Sequence, residues 1–523
     1  MKYLLAAEAD RIQDLLFRSS RLREVVGGSQ LLNRFCEDMP SLLGVSKEDV
    51  ITSGGGSFYV EFESEEAARR FGAALAEAYN RATGGTLSVA EPVEVTAGYG
   101  SASKEAGERL RRAKRRGPAV MTRHIPYIAF CESCGVGLAV AHETRVEEEE
   151  GRAFYLCPSC RAKAAERAEK SLGRFLKPFY KAVVRPDVLP RMDWPHEAEA
   201  VGEYDARGYV AYIVADGNGM GEIFGECDDE KQARALSRKM DDVLREALAE
   251  PIRLFMNNPA AKRRPRFIPA LPLILGGDDL FALVPAPWAL DIARHLCATF
   301  QSEMTKFAQE HGITREITMT AAVVFCKANY PYYLAHDIGE DRLSETKRMV
   351  KALARTGTHL SAVDFEIVLG SQIAPQAPTG ERRPTLRPYW VTDGAVPSGW
   401  GLSINALLEW RYRLAQVPSR RLSQLRALFN RAPQDDDRER WGRDLHRLLK
   451  RVERDWGREE EHPLRTALKE KELGGIELEE WYSVERESDE EFWHGHALPD
   501  LLRVWDWALK LDIAPVEYEG GGR

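Results

Sequence analysis

Two carboxylates, Asp278 and Asp279, stand directly after Gly276 and Gly277, between the apolar runs LPLIL and LFALVPA. A third acid, Asp216, closes another apolar run, YVAYIVADG. Acids at a strand end and at a hairpin tip suit a hard divalent cation. Mg2+ takes oxygen ligands, typically one or two carboxylates together with water and substrate phosphates. Two such ions, or Mn2+ in their place, can activate a ribose 3′-hydroxyl and neutralise a leaving pyrophosphate. Asp216, Asp278 and Asp279 are therefore the candidate catalytic metal ligands. Gly217, Gly276 and Gly277 leave bare backbone that a triphosphate can approach. The plain alternative is a polar turn, since Gly and Asp are ordinary turn formers. The presence of Asp216 at the end of a neighbouring strand favours the metal site.

Further along, Lys347 and Lys351 are spaced i, i+4 on one helix face, with Arg348 and Arg355 near them. They are candidates to hold the β- and γ-phosphates, against a solvated basic face. Earlier in the chain, Gly54-Gly55-Gly56-Ser57 repeats the glycines without the acids, and Asp10 ends the strand before it. This is expected to be a non-catalytic copy, with Gly54 and Gly55 lining a second nucleotide pocket. Cys131, Cys134, Cys157 and Cys160 form two C-x-x-C pairs with 22 residues between them. That pattern predicts a closed, structural four-thiolate zinc site, with His142 as the alternative ligand. His336-Asp337 has the order of a metal-phosphohydrolase dyad, but the apolar setting YYLAHDIG favours a structural role.

The elements that would position these groups recur. Strand KYLLAAEA, a helix, the hairpin VITSGGGSFYVEF, a helix, strand VEVTAGYGSA and a basic helix make one unit. YVAYIVADGNG, a helix, the GGDD hairpin, a helix, strand EITMTAAVVFCKA, a basic helix and the alternating strand HLSAVDFEIV make another. From strand-end Asp to glycine pair is 44 residues in the first and 60 in the second. The polar stretch NNPAAKRRPR at 257–266 would be the insertion. The expected fold is α+β. It has a degenerate ferredoxin-like palm at 1–128, a zinc-bearing helical domain at 129–202, a second palm at 203–387 and an all-helical domain at 388–523. The run at 435–437 reads as a solvated loop and the terminal EGGGR as frayed.

With 523 residues, 44% hydrophobic and 29% charged, the chain is too long for one core and too apolar for extended disorder. A net charge of −8 argues against a general nucleic-acid coat. No apolar run is long enough to span a membrane. The start MKYLLAAEAD is cut by Glu8, Asp10 and Arg11, unlike a signal peptide. A reducing cytoplasm is expected.

The segments IQDLLFRSSRLREVVGGSQLL and LPLILGGDDLFALV, with ADGNGMG and the cysteine pairs in this order, resemble the large polymerase-cyclase subunit of type III CRISPR effector complexes. The resemblance implies two palm domains of the nucleotide-cyclase (GGDEF-like) type. It also implies a cyclic oligoadenylate synthetase that joins ATP through 3′–5′ bonds when target RNA binds. Implied partners are guide RNA and the neighbouring effector subunits. Asp216, Asp278 and Asp279 match the family's metal ligands, and Lys347 matches a lysine after the last palm motif. The family's second strand-end acid is Asn218 here. The histidine–aspartate nuclease domain of many members is missing, so DNA cleavage is not expected. Other readings are a non-catalytic RNA-binding scaffold and a stand-alone cyclase of phage defence. Arg411, Arg413, Arg420 and Arg421 and the stretches 109–116 and 262–266 suit the scaffold.

Overall fold

The computed structural model describes residues 2–19, 21–96, 98–116, 129–144, 153–167, 173–258, 266–369, 386–397, 400–429, 438–456, 464, 484–487, 490–493 and 497–512. Most of the expected insertion at 257–266, the run at 435–437 and the terminal EGGGR lie outside the described residues.

The first unit runs β1 (Tyr3–Asp10), α1 (Ile12–Phe17), α2 (Leu22–Leu42), β2 (Val50–Gly54), β3 (Ser57–Phe62), α3 (Glu65–Thr83), β4 (Thr86–Val89), β5 (Val93–Glu94) and α4 (Tyr99–Arg116). Its sheet has the order β2-β3-β1-β4, and β5 also pairs with β1. The apolar β1 is central, antiparallel to β3, β4 and β5. Ser64 Oγ caps α3 by accepting from Ala67 N–H at 3.3 Å, and Gly84, at φ 69°, ends it in the left-handed conformation. The single strand expected at VEVTAGYGSA is instead the two-residue β5. The helix already starts at Tyr99, and the short β4 takes the place beside β1.

The cysteine region contains β6 (Ala141–Thr144), β7 (Ala153–Leu156), α5 (Pro158–Arg167), α6 (Leu176–Val183) and α7 (Glu199–Gly202). β6 and β7 form an antiparallel hairpin, so this region is helical with a small ribbon.

The second unit runs β8 (Tyr209–Gly217), α8 (Met220–Phe224), α9 (Glu230–Asn257), β9 (Leu271–Gly276), β10 (Asp279–Pro285), α10 (Ala289–Glu310), β11 (Met319–Lys327), α11 (Tyr332–Ala354), β12 (Ser361–Ile367) and β13 (Tyr389–Val391). Its sheet has the order β13-β12-β11-β8-β10-β9. β8 and β11 are almost continuously apolar because neighbours cover both their edges and faces. Helix α11 is the crossover that lets β12 lie parallel to β11. It packs across β8, β11 and β12, while α9 and α10 pack on each other. Alternation in HLSAVDFEIV suggested a half-exposed strand, yet all seven residues of β12 are buried.

The two units exchange helices: α2 lies against β9 and α9 against β2. Arg234 Nε donates to Val50 O at 3.0 Å, and Ser29 Oγ donates to Leu273 O. One apolar core runs through both. The C-terminal region has α12 (Ile404–Arg413), α13 (Ser419–Phe429), α14 (Arg438–Trp456), the ribbon β14 (Val484–Glu487) and β15 (Glu490–Trp493), and α15 (Ala497–Arg503). Trp507 anchors it to the second unit, stacking on Phe325 with centroids 4.8 Å apart and donating to Asp205 at 3.1 Å. No helix among the described residues is long and apolar enough to cross a membrane.

Candidate active site

The register of the second sheet brings the acids together. β10 and β8 pair with Leu280 opposite Ala215 and Phe281 opposite Val214, so Asp279 falls opposite Asp216. Directly opposed residues of an antiparallel pair share a face. Gly217 N–H donates to Asp278 O at 3.2 Å, tying the GGDD turn to the end of β8. Gly277 has φ 62°, which the turn requires. The face shared by Asp216 and Asp279 is the one α11 covers, because Gly339 of α11 packs on Val214 and Val324.

Lys347, two helical turns on from Gly339, donates to Asp216 Oδ2, and to Gly217 O at 3.2 Å. Burial pushes its ammonium down to about 8. Lys351 is exposed and is not brought to Asp216. A Cβ at Gly339 would meet Val214 Cγ2 at 2.4 Å. Gly339→Ala is therefore expected to lift α11 off β8 and separate Lys347 from Asp216. Overpacking of this kind costs about 1–3 kcal/mol. Urea denaturation should show that loss, and an unchanged midpoint would count against it.

Two residues not singled out as candidates act on the turn. Asp241 of α9 accepts from Gly277 N–H at 2.5 Å. Glu340 of α11 adds negative charge near Asp279. Neither has a local sequence signature, since each sits in an ordinary helical pattern. Asn218 is fully engaged in the strand end: its Nδ2 donates to Thr318 Oγ1 at 2.9 Å, and its Oδ1 accepts from Thr320 Oγ1 at 2.8 Å. The amide thus braces the loop after Asp216.

Loss of water raises the Asp278 carboxyl to about 6. Asp279 keeps an exposed edge. Its carboxyl is nonetheless pushed up to about 8, first by the protein around it, then by Glu340 and Asp278. Groups with raised folded values bind more protons folded than unfolded, so stability falls as pH rises through these values. In EDTA, the melting temperature is expected to fall from pH 5 to pH 9. Mn2+ should restore it at the alkaline end, and a flat profile in EDTA would contradict this.

The set fits Mg2+ or Mn2+ in chemistry: all-oxygen donors, more negative charge than Lys347 balances, and raised carboxyls at Asp278 and Asp279. Asp216 and Asp279 share a sheet face, and the three aspartates do not close round a point. Among the described residues, only the four cysteines place their ligand atoms all within 4.8 Å of one another.

In the first unit, Asp10 accepts from Ser88 Oγ at 2.9 Å through both oxygens. Gly55 has φ 58° and its turn faces the GGDD turn: a Cβ on Gly55 would lie 3.8 Å from Gly276 O. The two glycine turns therefore lie against each other, and nothing lies within 4 Å of a Cβ on Gly54.

Cys131, Cys134, Cys157 and Cys160 converge, with Cys134 and Cys157 Sγ 3.9 Å apart. A tetrahedron with metal–sulfur bonds of about 2.3 Å has edges of about 3.8 Å, which suits zinc. Backbone N–H groups of Gly137 and Cys160 donate to Cys134 and Cys157 Sγ. His142 stacks on Tyr155 at 4.3 Å and is outside this group, so the alternative ligand is set aside. Chelation at neutral pH is expected to unfold residues 129–167, where the buried cluster consists mostly of the cysteines themselves. Faster amide exchange confined to this region and its contacts would show it. His336 is buried between Phe17 and Phe281, with its imidazole pushed down to about 4 by burial, a packing role.

Residues 209–353 match the family described as Cas10/Cmr2, second palm domain. No curated protein matches the sequence. Among solved structures, the chain is similar to a Csm1-Csm4 cassette in complex with cA3, at 14% identity and TM-score 0.53, over 97% of this chain and 70% of that one. Against the cassette with pppApApA it has 16% identity and TM-score 0.50, over 86% and 64%. Against the cassette with cA4 it has 15% identity and TM-score 0.47, over 84% and 64%. At these identities the first two likenesses are ones of fold alone, and in the last two cases this chain spans less than two thirds of the other chain's length.

Proposed function

We propose that this Cas10-like large subunit, with its Cas10/Cmr2 second palm domain at residues 209–353, is a cyclic oligoadenylate synthetase. It would work within a type III CRISPR effector complex, triggered by target RNA paired to guide RNA. The observation that carries the reading is the convergence of Asp216 and Asp279 on one sheet face, beside Lys347 and the glycine turns. Solved structures of similar fold are complexes with pppApApA and cA3, and hold a Csm4 chain, which makes a subunit of that kind the expected neighbour.

Asp216, Asp278 and Asp279 would hold Mg2+ or Mn2+. When bound, the metal supplies the positive charge that favours an ionised ribose 3′-hydroxyl and a departing pyrophosphate. The residues of this chain provide the rest. Gly276, Gly277 and Gly217 carry no side chain, so a triphosphate could approach the backbone there closely. Lys347 neutralises Asp216 before nucleotide arrives and is free to turn to the β- and γ-phosphates afterwards; Lys351 would approach the same phosphates from the next turn. Gly54 and Gly55 present the second nucleotide from across the cleft, aligning its hydroxyl with the first α-phosphate. The cysteine site would hold structural zinc.

The test follows radiolabelled ATP with Mg2+ or Mn2+, with and without guide RNA, target RNA and partner subunits. A cyclic product formed only with RNA supports the reading. Product without RNA indicates a stand-alone cyclase. No product under any condition overturns it in favour of a scaffold.

A further inference from the structure

The motif FRSSRLREVVGGSQ has no role in the chemistry above, yet its side chains are largely buried. Helix α1 lies between the cysteine module and the catalytic palm, and the module holds its C-terminal half and the chain that follows it. Within the helix, the buried Lys163 of α5, three residues after Cys160, donates to Leu15 O. Just beyond the helix, the buried Glu24 of α2 accepts from Ser19 Oγ and from Ser133 Oγ, which sits between Cys131 and Cys134. The fit is close. A Cβ on Gly27 would lie 2.4 Å from Lys163 O, and one on Gly28 would lie 3.4 Å from the Lys163 stem.

What α1 presents to the other side is Phe17. Its ring lies 5.4 Å from Phe281, 5.8 Å from Tyr332 and 4.8 Å from His336. Phe281 is two residues beyond Asp279 on the same face of β10. Tyr332 and His336 open α11, the helix that carries Lys347. Tyr332 Oη also donates to Ser19 O, so the loop that bonds Glu24 bonds α11 as well.

We infer that Phe17 is a positioning residue for the catalytic cleft, held in place by the four-cysteine module through Ser133, Glu24 and Lys163. This rests on the cyclase reading only for its effect on turnover. The mechanical claim is that the module sets the spacing of β10 and α11. Two of its contacts are buried and involve charged groups, so their loss removes charge-assisted hydrogen bonds. Aromatic contacts like those of Phe17 then transmit the displacement, because packed interiors are stiff.

The experiment uses the full chain with metal content measured. Ser133→Ala, Ser133→Thr, Lys163→Met and Phe17→Ala are compared by amide hydrogen exchange and by turnover. With zinc at about one per chain, Ser133→Ala and Lys163→Met are expected to speed exchange at 279–286 and 332–340, far along the chain from both substitutions. Exchange at 289–310 should not change. Ser133→Thr keeps the hydroxyl and should restore protection. Turnover should fall about tenfold or more in Phe17→Ala with little change in KM. If exchange quickens only at 15–30 and 129–167, the inference is wrong. If exchange changes as expected but wild-type chain makes no product, only the cyclase reading falls.

Discussion

Replacing Asp278 and Asp279 together with alanine is expected to abolish nucleotide joining while making the metal-free protein more stable at pH 8. The two effects share one cause. Both carboxyls are held above their ordinary range, Asp278 at about 6 by loss of water and Asp279 at about 8 by loss of water and then the charges of Glu340 and Asp278. Ionising them without a cation is unfavourable, so their removal relieves the folded state above those values. A bound cation would reverse the balance, and the carboxylates would hold it where it supplies transition-state charge stabilisation of several kcal/mol. At 1.36 kcal/mol per factor of ten, that amounts to roughly 10³-fold in rate. Product from labelled ATP, and melting temperature in EDTA at pH 8, measure the two sides. Activity within about tenfold of wild type would remove these aspartates from the chemistry. Lower stability in EDTA would show that the turn needs the acids structurally.

Much of this cleft was legible because its parts obey short-range rules. GGDD after an apolar run gives a hairpin, and YVAYIVADG gives a central strand whose acid marks the end. The cysteine pairs announced their own convergence through spacing. What was not legible depends on contacts between distant segments. Asp241 and Glu340 look like any helix-surface acids until α9 and α11 are placed against the turn. Asn218 read as a lost ligand, and its brace on Thr318 and Thr320 exists only once β11 pairs with β8. The short β4 was missed because four residues carry little periodicity. The alternating SAVDFEI of β12 misled for a different reason. Alternation signals a solvent face only when nothing covers the polar residues. Here the sequence carries their counter-ions some twenty to one hundred and forty residues away, and the polar residues are buried as a charged cluster.

That cluster makes Arg387→Met the substitution with the largest expected cost in stability. The buried guanidinium lies 3.7 Å from Asp364, 3.7 Å from Glu366 and 3.9 Å from Asp500, and donates to Phe365 O. Glu366 also pairs with Arg342 of α11 at 3.2 Å and with Arg503 of α15 at 3.6 Å. Burial works to raise both acids. In Glu366 the three arginines outweigh it and hold the carboxyl below its ordinary value, whereas in Asp364 burial prevails. Breaking such a network from one side leaves charge buried and unpaired, at a cost of about 3–5 kcal/mol. The damage should spread to two places. Asp500 also accepts from Tyr389 Oη at 2.7 Å, so the C-terminal helices should loosen from the sheet. Thr346, which donates to Asp364 at 3.2 Å, immediately precedes Lys347, so α11 should lose its register over Asp216. Urea denaturation of Arg387→Met measures the cost, and amide exchange at 332–354 and 497–507 locates it. Arg387→Met combined with Asp364→Asn, Glu366→Gln and Asp500→Asn should recover part of the loss, because the stranded charges go with the arginine. If the single variant lost under about 1 kcal/mol and exchange at both segments stayed slow, the burial of these charges would be incidental to how the C-terminal region grips the catalytic palm.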